Sequence, residues 1–172
     1  LAGRPRVEDV HPALDLQPRG STALLDAIGR LVTDAGAHLA SLPEEQRPGT
    51  VIVGIMTDGY ENASREWTHP AVKALIQQQT KTYNWEFLYM GADQDAIEVG
   101  VSLGVQANRS MTYSRDASGP AMAATSAMVG RLRNARLLGA PAADIGYTNA
   151  ERDAAAGESP GPRPTKKPRP RR

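Results

Sequence analysis

A short run of β-branched and apolar residues that stops at an acidic glycine turn, TVIVGIMTDG at residues 50–59, constrains this chain more than any other feature. An apolar run of that length, with no polar residue alternating through it, predicts a central strand covered on both faces. A second run, WEFLYM at residues 85–90, ends in Gly91, and residues 109–113 predict a third strand. Helical patterns lie between and around these runs. Residues 21–40 set Leu24, Leu25, Ile28, Leu31, Val32 and Leu39 at helical spacing, and Leu42-Pro43 and Pro48-Gly49 close the segment. Helical signals continue from Pro70 through Val72, Leu75 and Ile76, again over residues 93–103 up to Gly104, and over residues 121–138. Helices alternating with short apolar strands predict an α/β fold, a Rossmann-like parallel sheet with flanking helices.

At 172 residues the chain suffices for one core, and with no cysteine it offers no disulfide framework, thiolate metal site or thiol nucleophile. No apolar run approaches the roughly 20 residues of a membrane span, so neither membrane insertion nor a membrane partner is expected. The first ten residues carry Arg4, Arg6, Glu8 and Asp9 where an export signal would be apolar, and a cytoplasmic location is the expectation. The net charge of +1 is an average over two unlike parts. Six bases fall within residues 159–172, which contain no acid, leaving 14 bases against 19 acids in the rest, a net of −5. From residue 151 large apolar side chains vanish, and from Ser159 proline alternates with base, so residues 151–172 read as a disordered tail behind a domain at residues 1–150. Such a tail could touch nucleic acid or an acidic partner, although a solubilising role accounts for it as well.

Two places invite chemistry. Asp58 falls just past the carboxyl end of its strand, where open parallel sheets collect ligands; there it could bind a metal, accept a phosphoryl group or cap a turn. At residues 20–28, GSTALLDAI, a glycine turn releases Ser21 and Thr22 into a helix. Either hydroxyl could cap that helix, with Asp26 near its positive end, and hydroxyl oxygen also suits a hard cation. Glu61 and Asn62, close behind Asp58, could orient water at the site or simply form the turn. Asp93 and Asp95 follow the second strand and read as helix caps, with a shell around the site as the alternative, Asp116-Ala117-Ser118 as a turn and cap, and Trp67 and Trp85 as packing residues. His11, His38 and His69 lack metal-ligand spacing and read as surface or boundary residues.

Taken together, GSTALLDAIGRL at residues 20–31 and VIVGIMTDGYEN at residues 51–62 resemble the von Willebrand factor A domain family, particularly its bacterial and phage-type members. The similarity continues through WEFLYMGAD and QDAIEVGVSLGV to the closing helix, about residues 7–138. In that family the GxT threonine and the TDG aspartate belong to a metal-ion-dependent adhesion site, which the resemblance places at Thr22 and Asp58, with Ser21, Glu61 and Asn62 around them. The implied cation is Mg2+, or Mn2+ or Ca2+, and the implied function is binding a protein partner through its carboxylate, without catalysis. The family's DxSxS motif has no counterpart here. Opening at Leu1 and reaching Gly20 after 19 residues, the chain is expected to be an amino-terminally incomplete domain that lacks the first strand and helix and binds metal weakly or not at all by itself. The expected absence would turn the strand at residues 50–57 into an open edge.

Two other functions compete. An enzyme or phosphoacceptor could use Asp58, but it would need a lysine in the same crevice, and before the tail the chain offers only Lys73 and Lys81. No GxxxxGK[ST] phosphate loop occurs. A subunit assisting a motor ATPase or chelatase would stay within the same family.

Overall fold

A computed structural model describes residues 21–157 of the chain. The order is α1 (Leu24–Ser41), β1 (Ile52–Thr57), α2 (His69–Tyr83), β2 (Glu86–Ala92), α3 (Ala96–Ser102), β3 (Ser110–Tyr113), α4 (Ser118–Leu137) and α5 (Asn149–Ala155), with short 3-10 turns between some of them. The three strands form one parallel sheet in the order β1-β2-β3. The architecture is therefore α/β, as the alternation of patterns predicts.

Two apolar layers flank the sheet. On one face Leu25, Ile28 and Val32 of α1 and Val72 and Ile76 of α2 pack on Val53, Ile55, Phe87 and Tyr89, and Leu103 extends that layer. On the other face Met128 and Leu132 of α4, with Tyr147 and Ala155, pack on Leu88, Met90, Met111 and Tyr113. Each large side chain so enclosed contributes about 1.5–3 kcal/mol. β2 lies between both layers and is buried at all seven positions.

The central strand is thus β2, which corrects the expectation for residues 50–57. β1 alternates: Val53, Ile55 and Thr57 are buried, whereas Gly54 and Met56 are exposed. Among the described residues β1 pairs only with β2 and stands at the edge of the sheet. The α4 layer covers β2 and β3 and takes in Ile52 at the start of β1, whereas Gly54 and Met56 beyond it stay exposed.

The second correction concerns residues 151–157, expected to begin the tail. Residues 149–155 form α5, opened by a capping box in which Thr148 accepts from the Glu151 amide and Glu151 accepts from the Thr148 amide. Arg131 of α4 holds the Glu151 carboxylate through two bonds of 2.8 Å, and Arg152 donates to the Ser110 carbonyl at 2.6 Å. The body therefore extends past residue 150; the remaining tail, residues 158–172, lies outside the described residues, as does His11.

At the start of β2 the Glu86 carboxylate is buried between two guanidiniums, Arg109 and Arg136. Arg109 also donates to the Ala142 carbonyl at 2.9 Å, so this buried cation is satisfied by backbone as well as by charge.

Candidate functional site at the carboxyl ends of the strands

The loop from Asp58 to Trp67 is knitted to the first turns of α1, and this stitching builds the site. α1 starts after Ala23 with no side-chain cap of its own. Ser21 and Thr22 do not cap it. The orphan amides are capped from across the molecule instead: Leu25 donates to Glu61 Oε2 at 2.8 Å and Asp26 to Ser64 Oγ at 3.1 Å. In return, the Asp26 carboxylate accepts the amides of Arg65, Glu66 and Trp67 at 2.8–2.9 Å. Burial pushes the Glu61 carboxyl up, but the amides of Leu25, Ser64 and Ala63 and the Ser64 hydroxyl outweigh it and hold the group down at about 2. Glu61 is thus a structural clasp, its oxygens engaged by Leu25, Ala63 and Ser64.

The same stitching draws Thr22 to Asp58. The Thr22 amide donates to Asn62 Oδ1 at 2.9 Å, and the Asn62 amide returns a bond to the Thr22 carbonyl at 3.1 Å. The Thr22 hydroxyl lies 3.0 Å from where a Cβ on Gly59 would stand, so Thr22 and the Asp58-Gly59 turn share one end of the sheet. Thr57 makes that turn, its hydroxyl donating to the Gly59 carbonyl at 2.8 Å and accepting from the Gly59 amide at 3.2 Å. Asp58 is therefore not required as a cap. Its backbone carbonyl accepts from Arg115 Nη2 at 2.8 Å, while its side chain is exposed and makes no hydrogen bond among the described residues.

Arg115 also reaches Asp93, with 3.1 Å between Nε and Oδ2, so the crown of loops above the strands carries Asp58, Arg115 and Asp93 together. Asp95 caps α3, accepting from the Glu98 amide at 2.9 Å, as expected, whereas Asp93 occupies the left-handed region at φ +51° and does not cap. Residues 115–117 form a 3-10 turn, but α4 then begins without a side-chain cap from Asp116 or Ser118. Trp85 is buried and Trp67 packs against the first layer, as expected of packing residues. His38 and His69 are exposed.

Thr22 and Asp58 offer three side-chain oxygens, whereas a magnesium shell calls for near-octahedral coordination by about six. Among the described residues no three His, Asp or Glu side chains gather as a metal cluster, and the Arg115 guanidinium already sits against the Asp58 turn. These residues do not by themselves fit a tightly held divalent cation.

Beside this crown opens a cavity of about 180 Å3, lined by Leu24, Leu25, Val99 and Leu103 together with Tyr60, His69 and Tyr89. Gln94 lines it. Its Oε1 and Nε2 are the only buried side-chain polar atoms without a hydrogen-bond partner among the described residues, at a cost of about 1–3 kcal/mol for each group left unpaired. The Tyr89 phenol at the cavity wall is pushed up to about 12, chiefly by burial; the nearby Gln94 amide pulls the other way without reaching hydrogen-bond geometry. Nothing in the local sequence pattern marks Gln94.

Comparison of the chain with known protein families, with curated proteins and with solved structures finds no match. Among the described residues, no helix is long and apolar enough to cross a membrane.

Proposed function

We propose that this chain is a protein-binding module of the von Willebrand factor A type, recognising a partner through the loop crown that carries Thr22, Asp58, Asp93 and Arg115. The observation that carries this reading is the meeting of the Thr22 hydroxyl with the Asp58-Gly59 turn at the carboxyl end of β1. The crown binds and makes no bond. Asp58 is exposed and unspent, Thr22 presents a hydroxyl beside it, and Arg115 supplies a cationic contact for a partner's carboxylate.

In this type of domain, a divalent cation supplies an open coordination position for a partner's carboxylate. Here the three side-chain oxygens of Thr22 and Asp58 fall short of such a shell, and further ligands would have to come from outside residues 21–157.

Calorimetric titration of the chain with magnesium chloride, paired with acetyl phosphate treatment of the parent and Asp58→Ala, tests this reading. The expected result is no tight stoichiometric magnesium site and no phosphate on either protein. A tight site would contradict the incomplete ligand set. Phosphate present on the parent and lost with Asp58→Ala would replace the binding module with a phosphoacceptor.

A further inference from the structure

At the end of the sheet opposite the crown, a cavity of about 470 Å3 opens between α1 and α2 where the chain enters β1. Val32 and Leu39 of α1, Leu75 of α2, Val51 and Trp85 line it, and Leu39, Val51 and Leu75 stay only half-buried. Gly36 faces the same space from the interior of α1. A Cβ there would meet nothing nearer than Gln79 Nε2 at 3.9 Å, whereas the room at Gly29 is taken up by the Trp67 ring. Glycine is less favourable than alanine inside a helix, and no packing among the described residues uses the room that Gly36 leaves. Arg47 is the one charged side chain on this lining, and it is exposed. Its guanidinium is held at the end of α1, with Nε donating to the Leu42 carbonyl at 3.0 Å and Nη2 to the Ala40 carbonyl at 3.1 Å. Nη1 makes no hydrogen bond among the described residues.

We propose that this cavity binds a small molecule with a compact apolar body and one carboxylate, the body lying over Gly36 between the two helices and the carboxylate at Arg47. A cleft of this size, mostly apolar with a few polar groups such as Thr33 and Gln79, is the usual make-up of a small-ligand site. A guanidinium already fixed in place gives a carboxylate charge-assisted hydrogen bonds. No acidic side chain lines the cavity to oppose them; Glu44 and Glu45 lie in the turn before Arg47 but outside the lining.

The probes are 2-naphthoate and its neutral counterpart 2-naphthamide, read in the full chain by the Trp85 indole and Arg47 Nε–H resonances. Trp67, which does not line the cavity, serves as the reference. Naphthoate is expected to shift both signals with a dissociation constant of about 0.1 mM, and naphthamide to bind about tenfold more weakly. Arg47→Met is expected to bring the two ligands to the same affinity. Gly36→Leu, which sends a side chain into the space without a backbone clash, is expected to fold and to bind neither. Unchanged Trp85 and Arg47 signals at millimolar naphthoate would mean that water, another part of the chain or a second copy fills the space, and would overturn the proposal. Equal affinity for naphthamide, or undiminished naphthoate binding by folded Arg47→Met or Gly36→Leu, would overturn it as well. Should a variant fail to fold, the contrast between the two ligands on the parent decides by itself.

Discussion

Glu61 shows how one side chain sets the geometry of a site in which it plays no direct part. Its carboxylate caps α1 at Leu25 and closes its own turn at Ala63 and Ser64, which brings the Asp58 loop onto the first turn of the helix. The carboxyl is held at about 2, below its ordinary 4.5, so the ionised form favours the folded state. Its contribution is complete above pH 4.5 and disappears as the pH falls from there toward 2. Denaturant midpoints measured across that window are expected to fall in the parent and to fall less steeply in Glu61→Gln, which starts lower at neutral pH. Identical profiles would show that the clasp contributes nothing. The turn at Glu61 was one of two readings the sequence left open, and the cap on α1 was not legible there. A helix capped by a residue 36 positions away leaves no local pattern.

Among the elements, α1 and the Asp58 loop meet where Gly29 lets Trp67 lie directly on the helix. A Cβ on Gly29 would stand 2.1 Å from the Trp67 ring, so Gly29→Ala should displace the indole and cost about 1–3 kcal/mol, despite the better helix propensity of alanine. Urea denaturation checks this; a stabilised Gly29→Ala protein would mean that Trp67 moves away freely. The helices and strands were legible because their apolar spacing is a local property. Whether a strand is central is not local. TVIVGIMT reads as covered on both sides, yet Gly54 and Met56 remain exposed because α4 lies over the neighbouring strands. α5 escaped notice for another reason. It has only small apolar residues and docks through Arg131, Glu151 and Arg152, although TNAE at residues 148–151 carries the spacing of a capping box.

At the scale of the whole molecule, the parallel sheet carries Thr22, Asp58, Asp93 and Arg115 at one end, and among the described residues β1 is the edge strand beside them. The fold brings Thr22 to the Asp58-Gly59 turn through the paired bonds with Asn62, a route that no local pattern marks. Arg115 was not legible, because it gains its meaning from Asp58 and Asp93 on other segments. Convergence of Thr22 and Asp58 on a shared oxygen-lined point is the claim on which the functional reading stands. Adding traces of manganese(II) to the labelled chain tests it most directly, since a paramagnetic ion broadens nearby amide signals even when bound weakly. The account predicts that the amides of Thr22, Asp58 and Gly59 broaden first and that Asp58→Ala abolishes the effect; broadening centred instead on Asp34, Glu44 or Glu45, with Thr22 untouched, would contradict it.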